Sequence, residues 1–288
     1  MIAQVFRAGL WGALPRRRNT VQVNMIEIYK RFWQVNWAEQ WQYRANLLMY
    51  LAYWLVSPIV YLAVWTAIAN AEGSINGLTA NDFVAYYLTL LPVDIITSSI
   101  TIHVLAFKIQ EGTISNELMQ PVHPILTNTL MNNIAFKALT LIAFVPIWVV
   151  LVLLFRPTLA IAPLNLLLAI PALVAGFLIR FLIDSLITLV AFWTTRVWAI
   201  WQFNEALSML LNGAFVPLAL MPAWAQLIAQ VLPYQLGLSF PVLLILNWLP
   251  AEALALNFGL QLAWLAALYA AFAFLWKRAL RQFSAVGA

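Results

Sequence analysis

"MPAWAQLIAQVLPYQLGLSFPVLLILNWLP", residues 221–250, carries no charge and on hydropathy alone passes for a membrane span. Pro222, Pro233, Pro241 and Pro250 cut it into pieces of roughly ten residues or fewer, because proline removes an amide donor and clashes with the preceding turn. If this stretch crosses, the basic cluster Lys277, Arg278 and Arg281 lies outside. If it dips in and returns, all but Lys137, Arg156 and Arg180 of the 15 lysines and arginines fall on the N-terminal side. Basic residues concentrate in cytoplasmic loops. The sequence therefore predicts a re-entrant outer element over 221–250, six spans rather than seven, and both termini in the cytoplasm.

Composition sets the class around this element. The 288 residues are 64% hydrophobic and 9% charged, against about 25% charged in soluble domains. The fold class is all-α integral membrane protein. Crossing ~30 Å of hydrocarbon takes about 20 apolar residues, and spans are expected near 47–69, 83–107, 126–155, 166–193, 201–220 and 253–276. Residues 1–45 read as a cytoplasmic tail and an interfacial helix, and 46–281 as the transmembrane domain. In 24–44, Ile26, Trp33, Trp37 and Trp41 recur at helical spacing, and Glu27, Arg31 and Gln34 fall mostly on another side. Such a helix lies along a lipid surface. Arg16, Arg17 and Arg18 follow the first apolar residues instead of preceding them, unlike a signal peptide. The net charge of +5 is placed for membrane lipid, not for nucleic acid.

Several chemistries are excluded. The absence of cysteine removes disulfides, thiolate metal sites and cysteine nucleophiles. No phosphate loop is present, since no glycine is followed by lysine. His103 and His123 have no neighbouring set of metal ligands, so no metal site and no catalytic residue is expected. The intramembrane charges are Asp94, Lys137, Arg180, Asp184 and Glu205. Arg180 and Asp184, spaced i,i+4, share a helix face and can pair. Asp94 and Lys137 fall at similar depth and are expected to pair between helices. Glu205 is within reach of Arg196 or Arg180. These groups read either as helix-packing ion pairs or as a polar transport path.

One polar stretch stands out, "KIQEGTISNELMQPVHP" at 108–124. Placed in the cytoplasm, its middle predicts a short helix capped by Thr113 or Ser115, set off by Gly112 and ended by Pro121 and Pro124. Together with "NGAFVPLALMPAWAQLIAQVLPY" at 212–234 and the six-span plan, it resembles the membrane subunit of an ABC-2-type ATP-binding-cassette exporter. More narrowly, it resembles the bacterial permease branch whose ATPase is a separate chain.

The resemblance implies a permease forming the substrate path as a homodimer, or as a heterodimer with a related permease. It implies an ABC ATP-binding subunit as partner, with ATP and Mg bound there and no cofactor in this chain. It implies that 108–124 is the coupling helix, through Ile109, Glu111, Gly112, Glu117, Leu118 and Pro121, with 194–198 a lesser contact. It implies an outer gate built from the re-entrant element, with Gly213, Pro217, Pro222 and Pro233 at the matching positions. It implies the bacterial cytoplasmic (inner) membrane as the site of action. A gradient-driven secondary carrier and a non-transporting membrane scaffold are the rival readings. An absent inverted repeat weighs against the first, and a missing site against a membrane enzyme.

Overall fold

The computed structural model describes residues 25–120, 122–125 and 129–282. Helix α1, Met25–Gln42, carries the expected tryptophan face, and Trp33 and Trp37 meet with ring centroids 5.6 Å apart. At Tyr43 the backbone leaves the helical path (φ −97°, ψ 30°), and α2 follows as Arg44–Glu72. A tight turn with Asn76 and Gly77 at positive φ reverses the chain. Thr79 and Asp82 then form a reciprocal capping box, which starts α3, Ala80–Thr97.

The expected second span is not continuous. Ser98, Ser99 and Ile100 break it before α4, Thr101–Gln110. The short α5, Ile114–Leu118, and the long α6, Leu130–Phe155, come next. Helix α7, Pro163–Leu189, starts with proline at its first position and runs on into a 3-10 turn, Val190–Phe192. Helix α8 is Val197–Leu211. The 221–250 segment folds as α9, Ala223–Val231, α10, Tyr234–Gly237, and α11, Ser239–Ile245. Its prolines sit at the joints: Pro222 and Pro233 immediately precede α9 and α10, and Pro241 lies in the first turn of α11. The 32-residue α12, Ala251–Gln282, ends the described chain.

Among the described residues, five helical stretches are long and apolar enough to cross a membrane: Ala45–Glu72, Ala80–Gln110, Leu130–Phe155, Pro163–Phe192 and Ala251–Gln282. The 201–220 stretch is different. Helix α8 has 15 residues, about 22 Å of rise, short of the ~30 Å core. It stops because Gly213 takes a left-handed conformation (φ 83°), followed by a 3-10 turn at Leu218–Leu220.

Helix α3 is the centre of the molecule. Phe83, Tyr86, Tyr87 and Leu90 are all buried, among α2, α6, α7 and α11. The outer helices keep one apolar face open, as Leu153, Leu164, Leu262 and Phe274 illustrate. Helix α12 lies along α7, and α1 folds back over α6. Two ends of the bundle can be told apart. One carries α5 and the 194–198 turn, joined where the Gln110 side chain donates to the Thr195 carbonyl. At the other, Asn81 bonds to Thr158 and Asn165 donates to Asn247. From there the 221–250 segment reaches halfway along α7, where Gly237 meets Gly176, and returns to Asn247.

Candidate functional site

The intramembrane charges pair differently from the sequence expectation. Arg180 of α7 donates to Asp94 of α3 at 2.6 Å and to the Thr97 hydroxyl at 3.1 Å. Asp94 and Thr97 lie about one turn apart on α3, so they present two acceptors to the planar guanidinium. The Asp94–Lys137 pair is therefore corrected. Lys137 of α6 places its ammonium 3.3 Å from the centroid of the Phe177 ring, a cation–π contact, and makes no hydrogen bond there. The i,i+4 pair of Arg180 with Asp184 does not form within the α7 helix either, because the guanidinium turns to α3. Glu205 makes no ion pair with Arg196 or Arg180 among the described residues.

Arg180, Asp184 and Glu205 nevertheless converge on one cavity of about 900 Å³. Its wall is formed by α1, α2, the 98–100 break, α4, α6, α7, α8 and Tyr234. Asp184 is 95% buried and lies beside Ser99 and Trp201. Tyr234 donates to Asn204 at 2.9 Å. The break is itself held in place, since the Ile100 amide donates to Asn133 Oδ1 at 2.9 Å. The cavity's aromatic and hydroxyl residues went unnoticed in the sequence. The polar run Thr97, Ser98, Ser99 and Thr101 inside an apolar stretch was the signal available there.

The 108–124 stretch forms a braced corner. Lys108 donates to Glu117 at 2.6 Å, while Ile109 and Ile114 are buried. Glu117 and Ile109 are thus turned inward, whereas Glu111 is exposed and Leu118 half-buried. Gly112 sits at φ 75°, a conformation that favours glycine. The expected cap is absent: the Thr113 hydroxyl donates back to the Lys108 carbonyl and Ser115 to that of Gly112. Pro121 lies outside the described residues. Met119, not singled out from sequence, is 79% exposed at the tip. Close by, the Ile125 amide donates to His123 Nδ1. Burial holds the imidazole pKa down to about 4, so it is neutral at pH 7.

The 212–217 turn is tied under α3. Tyr86 donates to the Gly213 carbonyl and Tyr87 to that of Phe215, each at 2.9 Å. Trp65 adds a third bond to Phe215. A Cβ on Gly213 would lie 2.6 Å from the Tyr86 hydroxyl, so glycine is required by space as well as by φ. Pro217 is buried in this turn, Pro222 is exposed, and Pro233 is buried at the start of α10.

Comparison with known proteins adds one finding. A family model described as ABC-2 family transporter protein matches residues 55–287. Comparisons with curated proteins and with solved structures return no match. The matched region holds every helix from the middle of α2 to α12, including the charged cavity, the braced corner and the tyrosine-anchored turn. On that match, covering most of its length, the chain belongs to the ABC-2 transporter family.

Proposed function

We propose that this chain is the permease subunit of an ATP-driven exporter, which lines the substrate path as a dimer and couples to a separate ATP-binding subunit. The observation that carries this reading is the braced corner. A coupling element has to transmit a push without bending, and the Lys108–Glu117 ion pair, the buried Ile114 and the Gln110 bond to Thr195 stiffen this one. Glu111 and Met119 are its outward groups, a charge and an apolar anchor for a groove on the ATPase. ATP and Mg belong to that partner. Closure of two ATPases would move both corners, and with them α4 and α6.

In this reading α8 and its turn complete a sixth span, and the corner and both termini face the cytoplasm of a bacterium. The 221–250 segment is the outer gate, re-entrant because its path reaches Gly176 and returns to Asn165. The test is purification of the tagged chain from its native membrane in mild detergent. An ATP-binding subunit is expected to accompany it, and to be lost on Glu111→Lys with Met119→Glu. A second permease in the same preparation would make the assembly a heterodimer. Isolation of the chain alone, under conditions that hold other complexes together, overturns the reading in favour of gradient-driven transport.

A further inference from the structure

The 900 Å³ cavity is at the upper end of the range for small-molecule sites, about 300–1,000 Å³. Among the described residues its charge is mostly negative: Glu39, Asp184 and Glu205 line it together with Arg180, which is already engaged by Asp94. Lys137 does not line the cavity and is held over Phe177. Asp184, 95% buried, makes no ion pair among the described residues. Ser99 and the Trp201 indole lie beside the Asp184 carboxylate, neutral donors that bring no counter-charge. A carboxylate held in such a place without a counter-ion is costly unless it keeps a proton or a cation arrives.

The remaining wall is aromatic. Phe136 receives Tyr50 and Trp54 edge-on, each at 5.7 Å between centroids, and Trp201 packs against His103 at 5.1 Å. Ring faces and carboxylates both attract positive charge, and the rings also take apolar bulk. A phosphorylated or carboxylated cargo would meet three carboxylates there.

We infer that this cavity is the substrate site of the permease and that it selects amphipathic organic cations. This rests on the permease reading above and names its substrate class. Asp184 and Glu205 lie on α7 and α8, with Trp201 beside them, while Tyr50, Trp54 and Phe136 lie on α2 and α6, so a bound cation touching both groups bridges two sides of the bundle. Glu39 comes from α1, which places one carboxylate on the helix read as surface-lying, at the mouth.

The test is equilibrium binding to the full chain, with whatever copurifies, in lipid nanodiscs. The probes are tetraphenylphosphonium and tetraphenylborate, near-identical in shape and opposite in charge. Tetraphenylphosphonium is expected to bind at least about tenfold more tightly, and Glu205→Gln and Asp184→Asn each to weaken it about tenfold. Glu72→Gln, at the far end of α2, is expected to change nothing. Equal binding of the two ions, no binding of the cation, or equal behaviour of the Glu205 and Glu72 variants overturns the inference. Should Asp184→Asn fail to fold, the exposed Glu205 decides alone. Binding needs no ATPase, so its failure beside successful copurification removes the cation site and leaves the permease reading standing.

Discussion

Arg180, part-buried, and Lys137, buried, are both basic side chains and both near Asp94 in depth, yet their surroundings make opposite demands. Arg180 is held by a carboxylate and a hydroxyl, and its loss strands Asp94. Lys137 has a ring face and no hydrogen-bond acceptor. Breaking a buried pair from one side costs about 3–5 kcal/mol, whereas replacing a buried polar group that has no hydrogen-bond partner by an apolar one removes an uncompensated desolvation cost. Arg180→Met is therefore expected to lower stability by that amount, and Lys137→Met to stay within about 1 kcal/mol of the parent or exceed it. Denaturant unfolding in mild detergent measures both. A double-mutant cycle should couple Arg180→Met to Asp94→Asn strongly and Lys137→Met to Asp94→Asn much more weakly. Sequence made the depth of these charges legible, because a charge inside an apolar run announces itself. The choice of partner was not legible, since it depends on which faces of α3, α6 and α7 meet.

Among elements, the break between α3 and α4 shows where hydropathy stops being informative. Ile100 and Ile102 keep the average apolar through 98–101, so 83–107 reads as one span. The backbone instead leaves the helix after its last i→i−4 bond, from the Ser98 amide to the Asp94 carbonyl, and the Ile100 amide turns to Asn133. Non-helical backbone at such depth is tolerated where protein groups satisfy it. Asn133→Leu keeps the bulk and removes the acceptor, and leaving a buried amide unsatisfied costs about 1–3 kcal/mol. Hydrogen exchange at the Ile100 amide is expected to quicken about tenfold or more. Unchanged exchange would mean that Asn133 does not hold the break. The short α8 has a parallel cause. The residues of 201–220 are apolar enough for a span, and only the left-handed Gly213 beneath Tyr86 ends the helix early. Local signals did suffice for α1 and for the prolines of 221–250, where periodicity and a missing donor act within a few residues.

At the scale of the whole molecule, α7 joins the parts that a transport cycle would have to move together. Its Arg180 holds α3, its backbone at Gly176 touches Gly237, and its Ala172 carbonyl shares the Gln261 amide of α12 with that of Leu236. Gly237 also packs on the Arg180 side chain, where an added Cβ would lie 3.0 Å from Cγ. The crossing thus places the 221–250 segment directly against the charge pair that faces the cavity. A Cβ at Gly176 would come 3.0 Å from the Gly237 carbonyl oxygen, a backbone atom with little freedom to retreat. Gly176→Ala is expected to cost about 1–3 kcal/mol through overpacking. Gly176→Leu is expected to lift α10 from α7 and release the shared Gln261 bonds. Because the chain has no cysteine, a single Leu236→Cys reports this directly. Leu236 is fully buried, so its thiol should resist a membrane-impermeant maleimide in the parent and react with it in Gly176→Leu. Copurification of the ATP-binding subunit should survive, since the braced corner lies at the other end of the bundle. Loss of that partner together with the new labelling would mean that the two ends are one rigid unit. Labelling alone would make the 221–250 segment a separately movable part hinged on a pair of glycines.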